Sequence, residues 1–258
     1  MNWNLVRYHV RAPAIIITLD RPDKRNALSR ELIAELDAAF QYAATDSRGR
    51  NVILTGSGSS FCAGMDLDEL QQNLSADRET IWNDAHKLAE LFDRIYTLPK
   101  PTIAAVNGHA VAGGAGLVSV CDLAVATQAA RFGYPEVKRG LVAAMVLPHL
   151  IRHVGERTAR YLLLTGELIE ANGAARCGLI NQVVSSDLLL DTAISWSRNL
   201  AEAGPLALTT TKQLLQRCSR QTLTLEEFAN ASAEPRLGEE CRQGLAAFFA
   251  KVPPPWTQ

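Results

Sequence analysis

The chain has 258 residues, of which 47% are hydrophobic and 21% are charged, and its 26 basic and 27 acidic residues give a formal net charge of −1. This composition is typical of a folded globular protein and excludes the profile of an intrinsically disordered chain. The balanced charge also excludes the strong basic excess that draws many proteins to nucleic acid or to anionic lipid. The length suits one large α/β unit or two domains.

The cysteines and the apolar segments indicate the cellular setting. Five isolated cysteines form no C-x-x-C pair, which predicts neither a disulfide framework nor a structural zinc site and favours a reducing environment. The first 19 residues lack the basic and apolar regions of a signal peptide. The most apolar stretch, 103–120, contains Asn107, His109 and four glycines, which predicts a buried strand and helix instead of a membrane span. We therefore expect a cytoplasmic protein that binds neither membrane nor nucleic acid.

Strands and helices alternate in the N-terminal half. Apolar runs predict five strands there, over residues 5–10, 14–19, 51–55, 102–106 and 123–126. Helical spacing predicts a helix capped by Ser29, a long helix that stops near Pro99, and a short helix that opens in the glycine-rich segment 108–116. The glycine- and serine-rich stretch 56–60 predicts a flexible loop.

Helices dominate after Glu136. Seven are predicted, over residues 146–154, 156–165, 170–177, 188–201, 206–218, 225–233 and 239–249. A strand over 180–184 interrupts them. The pattern predicts an α/β core over 1–195, followed by a helical C-terminal region over 196–258 with no linker between them.

The segment Gly113-Gly114-Ala115-Gly116 follows a strand and opens a helix, and three interpretations fit it. A dinucleotide-binding fingerprint would need a third glycine where Ser119 stands, and it would lie at the first strand-to-helix turn, so that interpretation is weak. A backbone N–H donor at a helix N-terminus and close helix packing also fit. Taken alone, the segment favours packing.

A second loop of the same kind changes that balance. The segment Phe61-Cys62-Ala63-Gly64-Met65-Asp66 also follows a strand and a loop and ends where a helix begins. Two such loops can present two backbone N–H groups to one carbonyl oxygen. That arrangement is an oxyanion hole, which stabilises an enolate or a tetrahedral anion.

Five short motifs occur in a fixed order along the chain. They are Arg21-Pro22-x-x-x-Asn26-Ala27-Leu28, Phe61-Cys62-Ala63-Gly64-Met65-Asp66-Leu67, Asn107-Gly108-His109-Ala110-x-x-Gly113-Gly114, Cys121-Asp122-Leu123 and Phe132-Gly133-Tyr134-Pro135-Glu136. Together they resemble the crotonase superfamily, the enoyl-CoA hydratases and isomerases of acyl-CoA and fatty acid metabolism. The segment from Glu240 to Trp256 resembles the closing signature of that family, so the likeness covers essentially the whole chain.

The resemblance implies a fold, an assembly and a set of site residues. The fold is an α/β spiral of strand-strand-helix turns with a helical C-terminal trimerisation region, which implies a homotrimer or homohexamer. The implied oxyanion donors are the backbone N–H groups of Met65 and Gly113. The implied substrate and CoA contacts are Lys24, Arg25, Ala27, Ala63, Asp66, Leu67, Gly114, Gly116, Phe248 and Lys251. No metal and no separate cofactor are implied, because coenzyme A is part of the substrate.

The resemblance also identifies a departure at the catalytic carboxylates. Hydratases of this family use two glutamates, and the second corresponds to Glu136 as the proton-transferring residue. The first would stand at position 116, where this chain has Gly116. The segment 141–146 also lacks the glycines usual after the second glutamate. Both departures look like the bacterial branched-chain hydratases of the methylglutaconyl-CoA type, and single-glutamate isomerases share part of the pattern.

The expected activity is therefore hydration of a 2-enoyl-CoA with a branched or carboxylated acyl group. An enoyl-CoA isomerase that uses Glu136 as its sole base is the alternative, and a non-catalytic binding protein is a third. Asp66 or Glu69 could supply a second acid. We expect Gly116→Glu to raise activity on short straight chains, provided that the side chain has room.

Overall fold

The computed structural model describes residues 3–72, 76–220 and 238–257. Within these ranges the chain forms ten strands: β1 Val6–Arg11, β2 Ala14–Leu19, β3 Asn51–Gly56, β4 Ser60–Cys62, β5 Thr102–Val106, β6 His109–Val111, β7 Leu123–Thr127, β8 Arg131–Gly133, β9 Ile169–Glu170 and β10 Gln182–Val184. The same ranges hold nine α-helices: α1 Arg30–Thr45, α2 Leu67–Gln72, α3 Arg78–Thr97, α4 Gly113–Val120, α5 Leu147–Thr165, α6 Ala171–Arg176, α7 Leu189–Ala201, α8 Pro205–Arg220 and α9 Glu239–Ala250.

The strands form two sheets that the chain visits in alternation. The larger sheet has the order β1-β2-β3-β5-β7-β10, and the smaller has the order β4-β6-β8-β9. The chain runs from β3 to β4, from β5 to β6 and from β7 to β8, so each turn adds a parallel strand to both sheets. Helices α2 and α3 complete the first turn and α4 completes the second. The predicted spiral of strand-strand-helix turns is confirmed.

The long predicted elements are confirmed, and the short strands are the ones that the sequence did not indicate. Ser29 caps α1 by accepting a 3.2 Å hydrogen bond from the backbone N–H of Leu32. The two helices predicted over 146–154 and 156–165 are the halves of α5, which is kinked at Gly155. Strand β4 begins inside the predicted flexible loop. The helix predicted over 225–233 lies outside the described residues.

Both faces of the larger sheet are covered. Alternation along β3 sends Val52 and Leu54 into the main core with α1, α3 and α4, and sends Ile53 into a second core under α7. All eight residues of α4 are buried. Helix α4 therefore lies at the centre of the molecule, and its first residue, Gly113, is buried.

The C-terminal helices pack against the core of the same chain. The guanidinium of Arg50, the residue before β3, donates 2.8 Å hydrogen bonds to the carbonyl oxygens of Ala203 and Trp256. Lys212 on α8 forms a 2.7 Å ion pair with Asp122. The predicted boundary at 195 falls within α7, which packs on the larger sheet. Of the helices in the described ranges, none is both long and apolar enough to cross a membrane.

Candidate active site

The loop between β4 and α2 holds the first predicted oxyanion donor. Leu28 pairs with Met65 in a parallel bridge, in which the Leu28 N–H donates to Gly64 at 2.7 Å and the Asp66 N–H donates to Leu28 at 3.0 Å. In such a bridge, the central residue uses neither its own N–H nor its own carbonyl. The Met65 N–H accordingly finds no acceptor among the residues that the structure describes.

The second loop, between β6 and α4, holds the other donor. Ala112 has a positive φ of 53° and turns the chain into α4, so that Gly113 is the first helical residue. The first N–H groups of a helix have no acceptor within the helix, and the described residues supply none to Gly113. A Cβ on Gly64 would lie 3.4 Å from the Gly113 nitrogen, so the two loops are in direct contact.

These two backbone groups and Glu136 line one cavity of about 490 Å³, here called the acyl cavity. A volume of this size is ordinary for a small-molecule site. The walls come from α2, α3 and the segment 141–146 and are mostly apolar. Of the described residues, two polar side chains besides Glu136 line it, Asp84 and Arg139. Asp84 forms a 2.6 Å ion pair with Arg30.

Glu136 has the environment of a proton-transferring carboxyl group. It lies in a short 3-10 turn, Pro135–Arg139, and its Oε2 atom is buried without a hydrogen-bond partner in the described part of the chain. Removal from water raises the pKa of Glu136, while its own backbone N–H and the charge of Arg139 oppose that rise. A carboxyl group with a raised pKa holds and releases a proton nearer to neutral pH than an exposed one.

Position 116 has no room for a second carboxylate. A Cβ on Gly116 would lie 2.6 Å from Cζ of Phe92 and 2.7 Å from Cγ1 of Val146. Real Cβ atoms do not approach other atoms so closely, so a glutamate here would require the Phe92 ring and the Val146 side chain to move. Gly116→Glu is expected to raise activity only if the side chain has room, and the structure provides no such room. Gly116 is a packing residue behind the wall of the acyl cavity.

The other predicted acids, Asp66 and Glu69, and the predicted substrate contact Gly114 have structural partners. Asp66 is buried and ion-paired with Arg21, and it also accepts a 2.9 Å hydrogen bond from the Asp68 N–H. Burial alone would raise the pKa of Asp66, but these bonds lower it below its ordinary value. Glu69 accepts a 2.9 Å hydrogen bond from the Arg30 N–H. A Cβ on Gly114 would lie 2.1 Å from the Cys62 oxygen, so Gly114 serves helix packing.

The structure brings part of the predicted CoA segment beside the first loop. The Ala63 N–H donates to the Arg25 carbonyl at 3.1 Å, and both Arg25 and Asn26 adopt positive φ angles. Ala27 is buried, whereas the Arg25 side chain is exposed. Lys24 forms a 2.7 Å ion pair with Asp68.

The remaining predicted contacts are divided between the cavity and the C-terminus. Ala63 and Leu67 line the acyl cavity. Lys251 is exposed just after α9 and has a φ of 56°, outside that lining. The side chain of Phe248 lies outside the described residues. Among the residues that are described, no group of three or more His, Cys, Asp or Glu could hold a metal ion.

Sequence reasoning missed two residues of this site. Arg139 follows Glu136 by three residues, and one 3-10 turn brings it back to the same cavity. Phe92 lies on the long helix predicted to stop near Pro99, but no pattern in the sequence pairs it with Gly116. The spacing of a turn could have indicated the first residue, whereas the second depends on tertiary packing.

Comparisons with known proteins agree with this geometry. The family profile described as enoyl-CoA hydratase/isomerase matches residues 10–258. A Thermus thermophilus protein that carries an enoyl-CoA hydratase name is 42% identical over 243 residues, 93% of this chain and 95% of its own. The 2,3-dehydroadipyl-CoA hydratase of Escherichia coli is 36% identical over 247 residues, 93% of each chain. A Mycobacterium smegmatis enoyl-CoA hydratase structure superposes with a TM-score of 0.91 at 33% identity, covering 99% of this chain and 100% of its own.

Proposed function

The chain belongs to the enoyl-CoA hydratase/isomerase family, and on that premise we propose that it adds water across the 2,3 double bond of a 2-enoyl-CoA thioester. The observation that carries this proposal is the acyl cavity, which joins the half-buried Glu136 to two backbone N–H groups that have no acceptor among the described residues. Each part has a separate task in that chemistry.

The thioester oxygen accepts hydrogen bonds from the N–H groups of Met65 and Gly113, which draws electrons from the conjugated double bond. Glu136 accepts a proton from water while the water oxygen bonds to the β-carbon, and the electron pair moves to the thioester oxygen as an enolate. Glu136 then returns a proton to the α-carbon as the carbonyl reforms. One well-placed oxyanion donor supplies about 2.7–4 kcal/mol to such a step.

The lining of the cavity supports a branched or carboxylated acyl group. Its apolar walls suit a branched chain. Arg139 lines the same cavity, and the one hydrogen bond seen for its guanidinium in the described residues is a 3.5 Å contact with the Pro135 carbonyl. A guanidinium binds a carboxylate with two parallel hydrogen bonds. The Escherichia coli relative is named for a thioester of a dicarboxylic acid, which agrees with that role.

Double-bond isomerisation is the second candidate, because a proton shift between two carbons needs a single base and Gly116 supplies no second one. The deciding experiment is a panel of straight, branched, carboxylated and 3-enoyl CoA thioesters. Loss of the conjugated enoyl absorbance on hydration is expected, with branched or carboxylated substrates preferred. Isomerisation of the 3-enoyl thioester without hydration of any panel member would replace the hydratase proposal.

Arg139→Met tests the carboxylate contact, with Lys138→Met as the matched control. Lys138 is exposed, forms a 3.0 Å ion pair with Glu167 and does not line the acyl cavity. We expect Arg139→Met to lower kcat/KM for a carboxylated substrate by about tenfold or more, since a hydrogen bond to a charged group contributes roughly 1.5–3 kcal/mol. Turnover of an uncharged branched substrate should change little at a pH well above the acidic limb of the rate profile. Equal losses on both substrates would contradict a carboxylate contact.

A further inference from the structure

Phe92 belongs to the walls of two separate cavities. On one side it lines the acyl cavity, together with Leu88 one helical turn earlier on α3. On the other side it lines a second cavity of about 260 Å³. Met145 is the other side chain that both cavities share. Phe92 and Met145 therefore separate the two cavities, and these two side chains are here called the partition.

The second cavity reaches the protein surface. Besides the partition, it is bounded by Asp93, Pro148 and Arg152, all of which are exposed. Removing the aromatic ring of Phe92 would join this space to the acyl cavity. The result would be a channel that leads from the Glu136 region to the surface between α3 and α5.

Gly116 fixes the ring of Phe92 in this position. The ring packs against the backbone of α4 at a residue without a side chain, where even a Cβ would overlap it at 2.6 Å. Phe92 is 2% exposed, so the ring is shielded from solvent. The partition is thus buried, and its position depends on the absence of a side chain at Gly116.

We propose that Phe92 is the specificity-determining residue that limits the length of the acyl chain, an inference that rests on the proposed function. In the wild-type protein, the ring closes the acyl cavity and an extended chain ends against it. A long acyl chain cannot reach the second cavity while the ring is in place. Replacing Phe92 by a small residue should therefore extend the range of accepted chains instead of only weakening catalysis.

The test compares Phe92→Ala with Leu88→Ala on crotonyl-, octenoyl- and dodecenoyl-CoA. Leu88 is equally buried and lines the acyl cavity, but it does not border the second cavity. We expect Phe92→Ala to raise the kcat/KM ratio of dodecenoyl- to crotonyl-CoA by about tenfold, in line with the discrimination that hydrophobic pockets achieve. Leu88→Ala should shift that ratio by less than about threefold. Met145→Ala, which opens the same partition, should shift it in the direction of Phe92→Ala.

Calorimetric binding of saturated butyryl- and dodecanoyl-CoA gives a readout that does not depend on turnover. Phe92→Leu replaces Phe92→Ala if the latter does not fold. If the wild type hydrates no enoyl-CoA, the proposed function fails. The ratio of the affinities for dodecanoyl- and butyryl-CoA then still tests the partition. If the wild type hydrates crotonyl-CoA but the Phe92 variants keep its chain-length profile and affinity ratio, the inference is overturned and the proposed function stands.

Discussion

Gly64 and Gly113 lie in contact across the two loops that carry the candidate oxyanion donors. A Cβ built on Gly64 would fall 3.4 Å from the Gly113 nitrogen and 2.7 Å from the Ala112 side chain. Gly64 also has a φ of 91°, which L side chains rarely adopt. The close approach of the two donors therefore depends on a glycine that sequence reasoning treated as part of a loop motif.

Gly64→Ala should separate the donors and lower kcat by about 10²–10³, the usual cost of losing one oxyanion hydrogen bond. Gly155→Ala is the matched control, because Gly155 has a φ of 70° but open space around its Cβ position. Both variants carry similar backbone strain. Gly64→Ala should therefore lose more turnover than Gly155→Ala, and the extra loss measures the steric effect of its Cβ on the neighbouring loop. Equal turnover of the two variants would contradict the assignment of the first donor.

The sequence predicted the large elements of this fold because each has a strong local pattern. Residues 102–106 form an apolar run and appear as β5 without a shift of boundary. The smaller sheet was not predicted because its strands have only two or three residues and no period can be read from them. The same limit applies to the site. The resemblance located Glu136 and Gly113 through motifs, whereas Phe92 reaches Gly116 only because α3 packs across α4.

Glu136→Gln should lower turnover by roughly 10²–10⁴-fold, the contribution of a well-placed acid–base group. Glu167→Gln is the control, since Glu167 is exposed and ion-paired with Lys138. Turnover of Glu136→Gln within a few fold of the wild type would remove Glu136 from the mechanism.

The same substitution should stabilise the fold at neutral pH. Burial raises the pKa of Glu136, so the folded state binds this proton more tightly than the unfolded state does. The contribution of this group to stability is therefore lost as the pH rises from the unfolded-state pKa to the folded-state pKa, and the effect vanishes below the unfolded value. Urea unfolding should show Glu136→Gln to be more stable than the wild type at pH 8, with the difference shrinking in acid. A constant difference across this range would indicate another cause.

Arg139 should influence the position of the acidic limb of the pH–rate profile. Its charge lowers the pKa of Glu136 against the larger effect of burial. Arg139→Met removes that charge, so the pKa should rise further and activity should be lost at a higher pH than in the wild type. The profile of kcat/KM with an uncharged substrate measures the shift, and Lys138→Met should leave the limb in place. An unmoved limb in Arg139→Met would show that the two groups are not coupled.

An exposed apolar patch beside the acyl cavity favours an oligomer. Val142 is 79% exposed and Leu164 is 69% exposed, and both border a concavity that shares Glu136 with the acyl cavity. Patches of this kind usually mark contacts between protein surfaces. We predict a trimer or a dimer of trimers by light scattering, with Leu164→Glu shifting the mass toward one chain. A wild-type mass of one chain at micromolar concentration would overturn the prediction.

Gly116→Glu should lower both stability and activity, because its Cβ would overlap Phe92 and Val146. Overpacking of a core position typically costs about 1–3 kcal/mol. Removing the ring of Phe92 relieves the closest of these overlaps, so Phe92→Ala combined with Gly116→Glu should be more active on crotonyl-CoA than Gly116→Glu alone. The comparison needs the wild type, the two single variants and the double variant, each measured for unfolding by urea and for turnover. If the two changes add without coupling, the ring of Phe92 is not what excludes a carboxylate from this wall.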